Sequence, residues 1–515
     1  AEFFNCDKLF AAGIWPITVA TTILKPGGYN RLAQMVEKTE KLPYHAFNGT
    51  DSSAISDMSA ASHSDFHHLK PIKPLPARKS EDKVPLIDCF TAPCKGGCPI
   101  HQDIPEYMEL VRRGLYGPAL KLITEKNPLP FLTGTICAHR CQNKCSRNFY
   151  DESVHIRDTK LVAAENGYGA LMASLKPTEK LPGKKAAIIG GGPTGIAAAY
   201  FLARGGVETT IFEREAKLGG VPRYVIPAFR ISDEALDKDV ALMERLGVEV
   251  KCGAPAPSVE ALKKLGYTHI LMATGAWQAG ELGIPGNVKG VIGWMKEMKQ
   301  QVKPSCIEGH VVVVGAGNTA MDAARVAKRM GAASSTIVYR RTKKEMPADE
   351  HELKLAIDEG VKLVELAAPI EQKDGKLICE KMKLGDPDEK GRRKPVGTGE
   401  FETIAVDSVI GAIGQTVDWG TLDVGALTTT KKGTAEADAL TYQTAQPDIF
   451  VGGDCYTGPK FAIDAIAAGK EAAVSIHRYV HPGQSQLIGR DHRDYKSLDP
   501  ATVAVPIESF DNTPR

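Results

Sequence analysis

A glycine turn that occurs twice constrains this chain more than any other feature. The first copy, Lys184-Lys-Ala-Ala-Ile-Ile-Gly190-Gly191-Gly192-Pro193-Thr194-Gly195, reads as an apolar strand, a turn and the start of a helix. Gly190, Gly192 and Gly195 fit the G-x-G-x-x-G dinucleotide fingerprint. The first glycine permits the tight turn, the second lets backbone approach a pyrophosphate, and the third lets helix pack closely on strand. Free N–H groups at the helix start then face the anion. The next strand ends in Glu213, and a carboxylate there accepts hydrogen bonds from a ribose diol.

The second copy is Gly309-His-Val-Val-Val-Val-Gly315-Ala316-Gly317-Asn318-Thr319-Ala320, whose final alanine still permits close packing. Its second strand ends in Arg340-Arg341-Thr-Lys343-Lys344 instead of an acid. Arginine there would hold a 2′-phosphate that a carboxylate would repel. The first unit therefore suits an adenosine with a free ribose and the second suits NADP; a solvated basic loop is the plainer reading of the second strand's end. The expected fold is α/β, with two Rossmann-like domains, the second inserted in the first. Two later runs are read as closing the first unit. One is Val409-Ile-Gly411-Ala412-Ile413-Gly414-Gln415, and the other is Asp448-Ile-Phe-Val-Gly452-Gly453-Asp454. Asp454 is expected on the ribityl or pyrophosphate side, with a helix over 458–473 facing a flavin ring.

The chain has 515 residues, enough for roughly three to four domains. Its net charge of +2 gives no argument for nucleic acid or an anionic membrane. The uncharged run 9–24 contains Pro16 and is too short to span a bilayer. No signal pattern opens the chain and its first residue is not methionine, so it reads as a cytoplasmic piece of a longer protein.

Six of the eleven cysteines crowd into residues 89–145, in the pattern Cys89-x4-Cys94-x3-Cys98-Pro99 and then Cys137-x3-Cys141-x3-Cys145. A secreted disulfide scaffold would be small and loop-rich, so the clustering argues for metal ligation in a reducing compartment. Structural zinc favours paired knuckles in fours. Tight triplets with Cys-Pro instead resemble iron–sulfur ligation. Two [4Fe–4S] clusters need eight ligands and six thiols are present. Either one cluster is fully cysteinyl, or two clusters each add a ligand from Asp88, His139, Gln142, Asn143 or Glu165.

Along the chain, residues 1–45 read as the end of an upstream domain or a packing arm, with a strand-like piece at 13–20 and a helix from Tyr29 to Lys41. Residues 46–83, rich in Ser, His, Asp and Pro, read as a linker. A helical iron–sulfur domain follows at 84–183, then the FAD-binding domain at 184–305 and 405–485. The NADP-binding domain is expected at 306–404 and a polar tail at 486–515.

Residues 84–485 closely resemble the small-subunit family of NADPH-dependent glutamate synthase, an organisation shared by the N-terminal half of dihydropyrimidine dehydrogenase. The phrases that carry the resemblance are Cys98-Pro-Ile-His-Gln-Asp-Ile-Pro, Asn127-Pro-Leu-Pro-Phe-Leu-Thr-Gly-Thr-Ile-Cys137, Ile226-Pro-Ala-Phe-Arg230, Gly315-Ala-Gly-Asn-Thr-Ala-Met-Asp and Tyr339-Arg-Arg. Within the family, the chain is most similar to a central fragment of flavin and iron–sulfur subunits of selenate reductase type. The resemblance implies FAD contacts at Gly190, Gly192, Pro193, Gly195, Glu213, Gly220, Val221, Arg230, Gly453, Asp454 and Ala462. It implies NADPH contacts at Gly317, Asn318, Thr319, Arg340, Arg341 and Lys344. It also implies interleaved cluster ligands, Cys89, Cys94 and Cys145 for one cluster and Cys98, Cys137 and Cys141 for the other. The chain departs from the family twice: an expected cysteine is Leu86, and an expected Gln or Glu ligand is Lys160.

The function expected is an NADPH-oxidising oxidoreductase in which hydride passes to FAD and single electrons leave through [4Fe–4S] to a partner domain or subunit. A homodimer is a candidate assembly. No catalytic acid or base is called for, since the cofactors carry the chemistry. A flavoprotein disulfide reductase would need a close cysteine pair beside the flavin, which the nucleotide domains lack. Two rivals remain: a flavin-dependent NAD(P)H oxidoreductase without working clusters, and a colourless nucleotide-binding scaffold.

Overall fold

The computed structural model describes residues 2–24, 27–43, 49–65, 67–68, 91–149, 151–301, 307–388, 393–420, 422, 427–481 and 483–490. The chain forms two compact units, Ala1–Val84 and Pro85–Arg515.

The first unit is helical, with helices Cys6–Ala11, Thr21–Leu24, Tyr29–Glu40 and Ser52–Ser62. Cys6 and Met35 are buried, and Lys38 Nζ donates to the Phe3 carbonyl (2.8 Å) and to Asp7 (3.0 Å). The strand-like piece at 13–20 forms no strand. Helix Ser52–Ser62 lies inside the expected linker and corrects it. Its signal was Asp51, whose carboxylate accepts from the N–H groups of Ser53 and Ala54 (both 3.0 Å) and so caps two of the four free donors. The stretch 69–83 of that linker lies outside the described residues.

The second unit begins with helices around Tyr107, Leu120, Ile123 and Leu132, all essentially buried. After Asp103 come two helices, Ile104–Arg112 and Tyr116–Thr124, parted at Gly114, whose φ is +73°. Helix Ile156–Ser174 crosses close to the second of them because Gly167 has no side chain; a Cβ there would lie 2.5 Å from the Tyr116 carbonyl oxygen. Asp239, on helix Asp233–Glu244, reaches the N-terminus of helix Pro130–Ile136, where its carboxylate accepts from the N–H groups of Phe131 (3.0 Å) and Leu132 (2.8 Å). Burial pushes the Asp239 carboxyl well up, against those two donors and the Lys160 charge. This bond fixes the helical domain to the α/β domain, and one hydrophobic core runs through both.

The first sheet is five parallel strands in the order Ile449–Val451, His269–Met272, Lys185–Ile189, Glu208–Glu213, Glu249–Cys252. Strands Lys185–Ile189 and His269–Met272 are buried nearly end to end, as inner strands of a parallel sheet covered on both faces. The second sheet, also parallel, has the order Val288–Gly290, Ser408–Gly411, His310–Val314, Ser334–Tyr339, Lys362–Glu365. Strand Ser408–Gly411 pairs Val409 with Val312. This corrects the expectation that the 409–415 run closes the first sheet; Ile449–Val451 alone does so. Both runs are short, apolar and followed by glycine, so composition could not assign them. The inserted domain consequently extends beyond 306–404 at both ends. Its outer side carries an antiparallel sheet of Ala367–Lys373, Lys376–Pro387 and Arg393–Ala405.

Helix Ala462–Tyr479 packs on helix Pro193–Arg204, with Gly469 so close that a Cβ would lie 2.2 Å from the Thr194 carbonyl oxygen. The described start of the expected tail folds back: Arg490 is buried and donates to Glu471 (2.9 Å). The remainder, 491–515, lies outside the described residues. Among the described residues no helix is long and apolar enough to cross a membrane.

Candidate functional site

Both glycine turns open on one cavity of about 760 Å³, within the size range of cofactor sites. The first domain contributes Gly190, Gly192, Pro193, Glu213, Gly220, Val221, Arg230, Asp454 and Ala462 to its wall; the second contributes Gly317, Asn318 and Thr319. Gly190 has φ +108°, and a Cβ there would meet the Ala273 carbonyl oxygen at 2.3 Å. Gly195 and Gly453 do not line the cavity but shape it. A Cβ on Gly195 would lie 2.0 Å from the Gly190 carbonyl oxygen, and one on Gly453 would lie 2.3 Å from Thr194 Oγ1.

Glu213 is buried at the strand end, its carboxylate accepting from the N–H groups of Gly191 (2.7 Å) and Glu215 (2.9 Å). These bonds fix the acid beside the turn. Asp454 accepts from the Lys460 N–H (3.1 Å), yet burial pushes its carboxyl up to about 6.

Arg230 lines the cavity, and its Nη1 donates to Asp322 (2.7 Å) and Glu352 (2.6 Å) of the inserted domain. Burial pushes Asp322 up to about 6, with Arg230 pulling the other way and Glu352 adding to the rise. Arg230 is thus a tie between the two nucleotide domains.

Arg340, Arg341 and Lys344 follow strand Ser334–Tyr339 and are outside the cavity wall. Arg340 and Lys344 are exposed. Arg341 Nε is buried without a hydrogen-bond partner. Sequence reasoning missed the hydrophobic wall of the cavity, which includes Ile136, Trp277, Trp419 and Phe461. Of these only Ile136 carried a signal, as the residue before Cys137.

The cysteines divide. Cys98, Cys137 and Cys141 line a second, small cavity together with Gln102, Tyr107, Arg140, Lys160 and Ile463. Cys94 and Cys145 do not line it, yet Cys94 stands near both sets of thiols: burial raises the Cys94 thiol most, and charge on Cys145 and then on Cys98 adds to the rise. Cys89, with Leu86 and Asp88, lies outside the described residues. Burial raises the Cys98 thiol and pushes Cys141 up to about 12, while the Lys160 charge pulls both down. His139, Gln142, Asn143 and Glu165 do not line the small cavity; the Gln142 amide oxygen is taken by the Arg157 N–H (3.1 Å). Among the described residues no three His, Cys, Asp or Glu converge tightly enough to hold a single metal ion. An iron–sulfur cluster spreads its thiolates over separate corners and does not require that convergence.

Known proteins with the same features share both halves of the second unit. The pyridine nucleotide-disulphide oxidoreductase profile matches residues 184–469, and that of dihydropyrimidine dehydrogenase domain II, 4Fe-4S cluster, matches 81–168. Residues 1–70 match the N-terminal TIM-barrel domain of oxidoreductase YgfK. The Escherichia coli oxidoreductase YgfK is 39% identical over 482 residues, covering 92% of this chain and 47% of its own length. The chain thus spans about half of that relative. NADPH-Fe(3+) oxidoreductase subunit beta of Geobacter sulfurreducens is 34% identical, covering 80% of this chain and 67% of its own. The glutamate synthase [NADPH] small chain of E. coli is 30% identical, covering 76% of this chain and 90% of its own. Mycobacterium tuberculosis FprA in complex with NADPH shares the fold, with a TM-score of 0.50 and 17% identity over 58% of this chain and 84% of that one.

Proposed function

The chain belongs to the pyridine nucleotide-disulphide oxidoreductase family, in the branch of the NADPH glutamate synthase small chain, and from that premise we propose that this oxidoreductase is an electron-transfer module. It takes FAD at the first turn, NADPH at the second and iron–sulfur clusters in the helical domain. When bound, FAD accepts hydride from NADPH and hands electrons on singly through iron–sulfur to a partner domain or subunit.

The observation that carries this reading is a shared wall. Ile136 lines the nucleotide cavity, and the next residue, Cys137, lines the cysteine cavity. A single peptide unit therefore separates the two chambers. Ile463 faces the cysteine cavity while its neighbour Ala462 faces the nucleotide one. The chain's own residues then have defined tasks. The Gly190 turn and the N-terminus of helix Pro193–Arg204 receive a pyrophosphate, and Glu213 accepts from a ribose diol. Asn318 accepts from the Asp349 N–H (3.0 Å), fixing the start of the second helix beneath the second nucleotide. Arg340 and Arg341, at the end of strand Ser334–Tyr339, supply positive charge for a 2′-phosphate. Arg230 keeps the two domains in register. Ile136, Trp277 and Phe461 exclude water from the space between.

The test is anaerobic reduction of the purified chain by NADPH, followed by visible absorption and low-temperature EPR. Flavin bleaching and then a reduced cluster signal is the expected sequence. In Cys137→Ser the flavin should still bleach without the cluster signal. A folded, colourless protein would reject the proposal, and flavin without iron would reject electron exit through the helical domain.

A further inference from the structure

Residues 219–230 join the two nucleotide turns. At their root, the Gly219 N–H donates to the Gly191 carbonyl (2.8 Å), and a Cβ on Gly220 would lie 2.8 Å from the Gly192 Cα. The segment therefore starts flush against the first turn. Arg223 anchors this end, donating to Asp237 (2.6 Å) of helix Asp233–Glu244. The middle belongs to the inserted domain: Val225 is 2% exposed, in the same core as Val291, Trp294 and Met321. Lys299, on helix Val291–Gln300, donates to the Ile226 carbonyl (2.6 Å). At the tip, the Phe229 ring faces the guanidinium groups of Arg325 and Arg329, 4.7 and 4.0 Å from its centre. Arg230 Nη1 then donates to Asp322 and Glu352, and the three side chains are 15%, 10% and 10% exposed. A guanidinium seated between two carboxylates in such a place is held firmly, because each acid left behind would be an unpaired buried charge. Asp322 stands four residues past Asn318 on helix Asn318–Arg329, one turn along the same face. Asn318, Asp322 and Arg230 all line the nucleotide cavity. An anion received at the start of that helix repels the Asp322 carboxylate and attracts the Arg230 guanidinium, and burial leaves both forces poorly screened. A dinucleotide at the second turn thus favours a seated Arg230, and a seated Arg230 holds the segment whose root closes on the first turn.

We propose that residues 219–230 are a coupling arm, with Arg230 as its positioning residue, through which NADP(H) at the second turn tightens the hold of the first turn on FAD. This rests on the FAD and NADPH reading of the two turns. The coupling is a binding free energy and is reciprocal, so FAD raises the affinity for NADP+ by the same factor.

The experiment uses the full chain with oxidised FAD and NADP+, so that binding is read without hydride transfer. The FAD dissociation constant is measured by flavin fluorescence on serial dilution, with and without saturating NADP+. The NADP+ dissociation constant is measured by calorimetry, with and without FAD. The expected result is FAD bound about fivefold or more tightly in the presence of NADP+, with the same factor in the reverse direction. In Arg230→Met both ratios should fall to one, whatever becomes of the FAD affinity itself, and Arg230→Lys should recover part of them. Glu213→Ala should weaken FAD yet keep the ratio, which separates loss of a contact from loss of coupling. Glu352→Gln, which takes the charge from one partner of Arg230, should lower the ratio and serves should the methionine variant fail to fold. A ratio of one in wild type would overturn the proposal, as would a full wild-type ratio in Arg230→Met or Glu352→Gln. A folded chain that binds no FAD, or FAD without NADP+, sinks this inference and the electron-transfer reading together, whereas both nucleotides bound independently sinks this one alone.

Discussion

The two nucleotide turns, Gly190–Gly195 and Gly315–Ala320, share their first, third and fifth residues, and two of their differences are physically telling. Their first glycines are equally indispensable: a Cβ on Gly190 would sit 2.3 Å from the Ala273 carbonyl oxygen, and one on Gly315 would sit 2.2 Å from that of Ala412. Their last positions are not equivalent. Gly195 has no room for a Cβ, whereas Ala320 carries one while fully buried. The first helix therefore rides closer to its strand than the second. The other difference is charge at the end of the second strand, Glu213 in one domain and Arg340-Arg341 in the other. The contrast is one of helix-to-strand spacing at the last position and of charge at the strand end.

The largest test of that contrast is Gly195→Ala. Overpacking a filled site costs about 1–3 kcal/mol or more, and here the clash is with backbone, so flavin should be absent from the purified protein. The converse change, Ala320→Gly, should cost only about 1 kcal/mol in thermal or urea unfolding. Equal effects would dissolve the distinction. Next is Glu213→Ala, which removes an ionised acceptor worth about 1.5–3 kcal/mol, a loss of roughly ten- to a hundredfold in flavin affinity by dialysis or fluorescence titration. Arg341→Ala, alone and with Arg340→Ala, should raise the KM for NADPH about tenfold through loss of a charge-assisted bond and leave that for NADH unchanged. A parallel rise for both nucleotides would mean the basic cluster is not reading the phosphate.

A last effect belongs to the frame of the second domain. Hydrogen bonds from Arg329 and then Arg325 hold the Glu359 carboxyl down at about 2, below its ordinary 4.5. Its contribution is therefore present above pH 4.5 and disappears as pH falls toward 2. Glu359→Gln should unfold about 1–2 kcal/mol more easily at neutral pH, given its partial exposure, and that gap should close in acid. A gap that persists at low pH would mean that packing, not charge, is responsible.

Much of this was legible in the residues, because glycine turns and the charges after them report backbone and ligand chemistry directly. The strand at Ser408–Gly411 was not, since an apolar run states that it is buried but not in which sheet. Nor was helix Ser52–Ser62, whose polar composition concealed a capped start at Asp51. Arg230 was expected to touch FAD from its place in a phrase; that Asp322 and Glu352 hold it, respectively 92 and 122 residues away, is a tertiary fact. Trp277 and Phe461 carried no pattern at all, because a cavity wall is assembled from unrelated loops.

Helix Pro130–Ile136 is a spacer of defined length. Its first turn is bolted by Asp239, and Cys137 is the first residue past its last. Each residue of an α-helix advances about 1.5 Å and turns about 100°. Removing one residue between the bolt and the thiol would swing Cys137 a quarter-turn or more away from its chamber and point the bulk of Ile136 elsewhere. The seven residues of this helix therefore act as a gauge block, machined to one length, between the Asp239 carboxylate and the wall that the two cavities share.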